Sequence, residues 1–250
     1  MSDARPVALV TGGAGGLGSA ICYRFASDGM RVIVGYHSSA GAAHKLVAAL
    51  AGAGHSARCA PVTDAAALTA LAAEIAHDYR RCDVLVNCAA ITRFVPHADL
   101  DALDDQLIDA ILATNIRGAF AAIRAFRSML DNSPLPGGGV VVNISSIAAE
   151  IAMGSNVMYC ASKAALDNMT KSLARALAPR IRVVSVSPGL VDTDFVKSLD
   201  PSWRDEQAAR APLGRLATPQ DVAAAVAAVI TTLTCTTGSV VKVDGGRTLS

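Results

Sequence analysis

The sequence predicts an α/β fold: a single doubly wound domain, with a parallel sheet of about seven strands and helices on both faces. Three observations predict it. Short apolar runs alternate with helical stretches along the whole chain. Those runs are apolar enough to be strands buried on both faces. The first of them ends in a glycine cluster that opens a helix. The 250 residues suffice for one large domain spanning 1–250.

Taken in order, Pro6 to Val10 is the first strand, and Gly16 to Asp28 is a helix closed by Gly29. Arg31 to Gly35 is a strand, Gly41 to Ala53 a helix ending at Gly54, and Ser56 to Ala60 a strand. Asp64 to Tyr79 is a helix with Thr63 or Asp64 as its N-cap, and Asp83 to Asn87 is the fourth strand. One long helix follows from Leu103 to Leu130, then a Pro/Gly loop from Ser133 to Gly139. Val140 to Ile144 is a strand, Val157 to Ala178 a long helix, and Ile181 to Val186 a strand. Pro188 to Leu216 reads as irregular, with a substrate lid at about 190–212. A helix from Pro219 to about Thr231 and a strand near Ser239 to Val243 complete the chain. There is no internal repeat and no low-complexity linker.

Composition excludes several classes. Hydrophobic residues are 52% and charged residues 17%, which argues against disorder. Aromatics are only 4% while alanine fills nearly one position in five, so the helices should pack closely. The net charge of +1, with no basic run, leaves no nucleic-acid footprint. No apolar stretch reaches the ~18 residues that span a bilayer, and Ala223 to Ile230 reads as a buried helix. Met1 to Pro6 lacks a basic-then-apolar leader, so a cytoplasmic protein with no membrane partner is expected. Cys22, Cys59, Cys82, Cys88, Cys160 and Cys235 show no C-x-x-C spacing; they read mostly as small core residues rather than a disulfide framework. The five histidines show no metal-ligand spacing, and no metal is expected.

The glycine cluster is Thr11-Gly12-Gly13-Ala14-Gly15-Gly16-Leu17-Gly18. Gly13, Gly15 and Gly18 meet the G-x-G-x-x-G spacing; Thr11, Gly12, Gly16 and Gly18 meet T-G-x-x-x-G-x-G. Glycines are needed where a backbone turns tightly against a pyrophosphate, and the helix that follows offers it free N–H groups. The second strand ends in Gly35-Tyr36-His37-Ser38-Ser39, with no acid to bond a ribose 2′-hydroxyl. A carboxylate would repel a 2′-phosphate, whereas hydroxyls and an imidazole would not, so NADP(H) is preferred and NAD(H) possible.

Tyr159 and Lys163 stand at i, i+4 on a helix and share a face. An ammonium beside a phenol, whose reference pKa is about 10, should lower that pKa and make a tuned proton donor and acceptor. Ser145 and Ser146 end the preceding strand, at the edge where open α/β sheets bind ligands.

Over essentially the whole chain these residues resemble the short-chain dehydrogenase/reductase family, whose fold is the Rossmann type. Thr11-Gly12-x-x-x-Gly16-x-Gly18 is similar to its cofactor loop, and Asn87-Cys88-Ala89-Ala90 stands where the family has Asn-Asn-Ala-Gly. Asn143-Ile144-Ser145-Ser146 precedes Tyr159-x-x-x-Lys163 at the family's distance, and Asn115 matches its helix-bending asparagine. Pro212 to Leu216, Pro219 and Asp244-Gly245-Gly246 match its C-terminal pattern.

The resemblance implies that Tyr159 gives its proton to a carbonyl oxygen, or takes it from an alcohol, while Ser146 positions that oxygen. Lys163 would lower the tyrosine pKa and hold the nicotinamide ribose, and Asn115 would support the proton path through a water. The implied cofactor contacts are Gly12, Ala14, Gly15, Gly16, Leu17 and Gly18, then Tyr36, His37, Ser38 and Ser39. Val62 would lie on the adenine, Asn87, Cys88 and Ala89 on the adenosine ribose, and Pro188, Gly189, Val191 and Thr193 over the nicotinamide. Pro61-Val62 replaces the family's Asp-Val, so the aspartate that meets the adenine amine is missing. Gly15 stands where NADP-preferring members often carry a basic residue.

The pattern looks most like 3-oxoacyl-(acyl-carrier-protein) reductases, which implies an NADP-dependent carbonyl reductase acting on a small carbonyl or alcohol. An NAD-dependent sugar or alcohol dehydrogenase and a non-catalytic dinucleotide sensor or scaffold are the alternatives. Phe195 and Trp203 are the lid's large aromatics, with Met153 and Val157 ahead of the catalytic helix. Arg204 and Arg210 are either phosphopantetheine contacts or exposed lid charges. The resemblance further implies a homotetramer built on the helices Leu103 to Leu130 and Val157 to Ala178.

Overall fold

The computed structural model describes residues 4–197 and 200–249. Phe195 was expected in the lid, but its side chain lies outside the described residues.

The elements run β1 (Val7–Thr11), α1 (Gly16–Ser27), β2 (Arg31–Tyr36), α2 (Ala40–Ala49), β3 (Ser56–Cys59) and α3 (Ala65–Tyr79). Next come β4 (Val84–Asn87), α4 (Asp105–Leu112), a π-helical turn (Ala113–Gly118), α5 (Ala119–Asp131), β5 (Gly139–Ile144) and α6 (Ala148–Ile151). The last are α7 (Val157–Leu177), β6 (Ile181–Pro188), α8 (Asp194–Lys197), α9 (Pro201–Ala209), α10 (Pro219–Thr231) and β7 (Val240–Val243). All seven strands are parallel, in the order β3-β2-β1-β4-β5-β6-β7. Strand order reverses between β1 and β4, which opens a crevice at their carboxyl ends. Thr11, Asn87 and Asn143 are level there, so the three strands end together.

Alternation along each strand feeds two cores. Ala8 and Val10 face one layer with Ile21 and Phe25 of α1 and Val222 and Val226 of α10. Val7 and Leu9 face the other with Leu68 and Ile75 of α3 and Ile123 and Phe126 of α5. Helix starts follow capping chemistry. The Asp64 carboxylate accepts from the N–H groups of Ala66 at 2.9 Å and Ala67 at 3.0 Å, which makes it, rather than Thr63, the N-cap of α3. Thr218 and Asp221 form a reciprocal capping box on α10.

Three expectations are corrected. The long helix from Leu103 to Leu130 is interrupted by the π-helical turn, where the Asn115 side chain is held by groups outside its own helix. The stretch read as irregular contains α8 and α9; Asp200 caps α9 and Pro201 occupies its first turn. Cys59 and Cys235 are exposed rather than core residues. Among the described residues, no helix is long and apolar enough to cross a membrane.

Candidate active site

A cleft of about 580 Å³ lies over the carboxyl ends of β1, β2 and β4. Gly12, Ala14, Gly15, Gly16, Leu17 and Gly18 line it, with Tyr36, His37, Ser38 and Ser39 at the end of β2 and Val62, Cys88 and Ala89 opposite. Two glycines set the close approach. Gly12 has φ +64°, and a Cβ there would stand 2.9 Å from Ala89 Cα. A Cβ on Gly18 would stand 2.3 Å from the Gly12 carbonyl oxygen. Gly13 instead faces the Val34 and Cys22 side chains, so T-G-x-x-x-G-x-G is the spacing that describes the cleft. The Thr11 hydroxyl accepts from the N–H groups of Cys88 at 3.1 Å and Ala89 at 3.2 Å, joining the ends of β1 and β4.

A second cleft, of about 1260 Å³, holds Ser146 and Tyr159 together. Asn156 caps α7, its side-chain oxygen accepting from Tyr159 N–H at 2.7 Å. Burial pushes the Tyr159 phenol above its ordinary pKa, while a hydrogen bond with Ser146 draws it back. Lys163 is buried one turn further along α7; its ammonium donates to Ile144 C=O at 2.8 Å and lies 5.6 Å from the centre of the Tyr159 ring. Burial pulls Lys163 down to about 8, and Cys88 and Asp167 act against that pull. The lysine was expected to lower the phenol; in the structure burial is the largest influence on both groups, raising the phenol and lowering the lysine.

Asn115 reaches this pair through the backbone. Its amide accepts from Ile91 N–H at 2.9 Å and donates to Ile91 C=O at 3.1 Å and Ser162 Oγ at 3.1 Å. Ser162 in turn donates to Tyr159 C=O at 2.8 Å. The π-helical turn is thereby fastened to α7 at the tyrosine.

Some predicted contacts fall elsewhere. The Asn87 side chain turns into the core and donates to Asn143 Oδ1 at 2.8 Å; Cys88 and Ala89, not Asn87, face the glycine-lined cleft. Gly189 and Val191 line the Ser146/Tyr159 cleft. Pro188 ends β6, accepting from Ile147 N–H at 3.0 Å. Thr193 stands over Gly16, its methyl 3.6 Å from where a Cβ on that glycine would be.

A family model described as enoyl-(acyl-carrier-protein) reductase matches residues 12–248. D-threitol dehydrogenase of Mycolicibacterium smegmatis is 36% identical over 249 residues, covering 97% of this chain and 93% of its own. The 3-oxoacyl-(acyl-carrier-protein) reductase of Thermotoga maritima is 32% identical over 246 residues, covering 96% of each. The crystal structure of a 3-ketoacyl-(acyl-carrier-protein) reductase from Brucella melitensis, complexed with NADH, matches with a TM-score of 0.86 at 28% identity, covering 98% of this chain and 99% of its own. The chain belongs to the short-chain dehydrogenase/reductase family.

This short-chain dehydrogenase/reductase is an oxidoreductase of the 3-oxoacyl-(acyl-carrier-protein) reductase-like kind, and its family binds a nicotinamide dinucleotide. The first cleft fits such a group. Its glycines let the backbone line the floor closely, and α1 begins at Gly16 behind the N-cap Gly15 without a side-chain cap, which suits its first-turn N–H groups to a phosphate. Sequence reasoning missed Thr63 and Thr114 in this cleft, where Ala90 of the Asn87-to-Ala90 motif also lies, and Thr92, Arg93, Phe94 and Arg247 in the other. Asn156 was missed too, although an asparagine just before a helical run was a signal for an N-cap. The others sit on loops and turns whose placement depends on tertiary packing.

Proposed function

We propose that the protein is a carbonyl reductase, working in reverse as an alcohol dehydrogenase, with NADP(H) preferred over NAD(H) and a 3-oxoacyl thioester or related ketone as substrate. The observation that carries this reading is Ser146 and Tyr159 facing one cleft, beside the glycine cradle and over buried Lys163.

Bound in the glycine-lined cleft, a nicotinamide dinucleotide supplies hydride for reduction or accepts it in oxidation. The backbone of Gly12 and Ala14 to Gly18 would hold its pyrophosphate, Tyr36 to Ser39 its adenosine ribose, and Val62 its adenine. Cys88 and Ala89 would flank the same ribose, Pro188, Gly189, Val191 and Thr193 would close over the nicotinamide, and Lys163 would meet its ribose. Ser146 and Tyr159 donate hydrogen bonds to the substrate carbonyl oxygen, and Tyr159 releases its proton to that oxygen as negative charge develops. Lys163 stabilises the phenolate left behind, and Asn115 keeps α7 in register. The preference for NADP(H) is supported by hydroxyls and an imidazole at the end of β2; the next acid after them along the chain, Asp64, is committed to capping α3.

An NAD-dependent sugar or alcohol dehydrogenase is the second reading, favoured by the similarity to D-threitol dehydrogenase and by Gly15. Fluorescence titration with NADPH and NADH, followed by a ketone and 3-oxoacyl thioester panel, separates the two. Tyr159→Phe should abolish turnover while leaving NADPH affinity within about threefold. Turnover surviving that change would rule out the phenol as the acid, and a non-catalytic sensor would show no turnover in either form. We propose also that the protein assembles as a homotetramer.

A further inference from the structure

Tyr159 is the third residue of α7, in the turn where backbone N–H groups have no carbonyl of their own helix to donate to. A first turn without such partners frays, so the phenol is only as well placed as that turn is held. The structure holds it through both backbone groups of Tyr159, and from one place. Asn156 Oδ1 accepts from the Tyr159 N–H at 2.7 Å, while Asn156 Nδ2 donates to the Arg93 C=O at 2.8 Å and to Thr92 Oγ1 at 3.2 Å. On the other side, Ser162 Oγ donates to the Tyr159 C=O and accepts from Asn115, whose amide bonds both backbone groups of Ile91. Ile91, Thr92 and Arg93 are consecutive residues of the segment that follows β4.

Two further bonds fasten this segment to the residue just ahead of Asn156. Thr92 Oγ1 and Ser155 Oγ share a hydrogen bond, and the Val95 N–H donates to the Ser155 C=O at 2.8 Å. Asn156 is 1% exposed, so bulk water does not stand in for a side-chain bond that is lost. An N-cap needs only an acceptor oxygen, which serine, threonine or aspartate supplies equally well. The donor end of Asn156 is what capping leaves unexplained, and both of its bonds go to the segment after β4. Thr92 and Arg93 also wall the cleft that holds Ser146 and Tyr159, so Asn156 sets the spacing between that wall and the tyrosine.

We propose that Asn156 is a positioning residue for Tyr159: by clasping the segment after β4 to the first turn of α7, it fixes the phenol where it can pass its proton into the cleft. This rests on the reading of Tyr159 as the acid of a carbonyl reductase.

Asn156→Ser keeps an oxygen for the Tyr159 N–H but lacks the amide donor, and Asn156→Ala gives up both ends. The serine variant should therefore recover most of the melting temperature lost in the alanine variant. Both should nevertheless show kcat at least about tenfold below the parent, with KM and NADPH affinity within about threefold. The solvent deuterium isotope effect on kcat should rise in both as proton delivery becomes limiting, which a smaller folded fraction would not cause. Labelling the four tyrosines with 3-fluorotyrosine adds a readout that needs no turnover. The Tyr159 fluorine signal, identified by its loss in Tyr159→Phe, should shift or broaden in Asn156→Ser while the signals of Tyr23, Tyr36 and Tyr79 hold. Parental kcat in Asn156→Ser, or an unchanged Tyr159 signal in that variant, would overturn the proposal. If no ketone oxidises NADPH in the parent, or Tyr159→Phe still turns over, the reading of Tyr159 as the acid falls, while the fluorine signal still decides whether Asn156 fixes the ring.

Discussion

Lys163 keeps an ammonium where water does not reach it. Its pKa falls from the ordinary lysine value to about 8, with burial the largest cause. The unfolded chain holds that proton to about 10.4, so between about 8 and 10 it binds more protons than the folded chain. The lysine therefore costs stability in full below pH 8, on the order of 3 kcal/mol, and the cost fades as pH rises toward 10. Lys163→Met should melt no lower than the parent at pH 7, and its advantage should shrink in melts at pH 9.5, while turnover falls by more than about a hundredfold. For the parent, kcat/KM of reduction should hold below pH 8 and decline above it as the ammonium is lost. At this scale helical spacing put Tyr159 and Lys163 on one face, and the resemblance chose Ser146 over Ser145, which the structure sets in one cleft with Tyr159. The sequence did not reveal that burial would dominate both pKa values, nor that Asn87 would turn inward, since both depend on neighbours brought by other strands.

Helix ends carry the predictions at the level of elements. Thr218 Oγ accepts from Asp221 N–H at 3.1 Å while the Asp221 carboxylate accepts from Thr218 N–H at 2.8 Å. Thr218→Ala should lower unfolding free energy by about 1 kcal/mol in denaturant titrations, with an unchanged m-value. Arg215 holds the Asp221 carboxyl well below the usual carboxylate range. A depressed acid contributes above its unfolded pKa and loses that contribution as pH falls through the folded one. The difference between the parent and Asp221→Asn should therefore narrow steadily below about pH 4. In the first turn of α1, Gly18→Ala sets a methyl against the Gly12 carbonyl, which must move and deform the cradle. It should weaken NADPH binding by more than about tenfold in the same fluorescence titration. The seven strands and most helices were readable because each has its own apolar run and punctuation. Periodicity read the π-helical turn as part of one long helix, and only the resemblance pointed to a bend at Asn115, whose partners Ile91 and Ser162 are remote in sequence.

The whole molecule is arranged around the reversal of strand order between β1 and β4, which places the cradle and the Ser146/Tyr159 cleft on one edge of the sheet. On the opposite side of the question is what the subunit leaves uncovered. Phe120 on α5 is 42% exposed and Val157 at the start of α7 is 40% exposed, with Arg124 lying 5.9 Å over the Phe120 ring. These are the two helices on which the homotetramer is proposed. A stable contact buries roughly 800 Å² per partner, with aromatic and arginine side chains enriched at its centre. Light scattering should therefore give a mass of four 25.5 kDa chains. Phe120→Glu places an unpaired charge in that contact and should shift the mass toward dimer or monomer while far-ultraviolet circular dichroism stays unchanged. Because α7 carries Tyr159 and Lys163, loosening its outer face should also lower kcat more than it raises KM. A single-subunit mass for the parent at micromolar concentration, with full activity, would show that the catalytic helix is held by its own subunit alone.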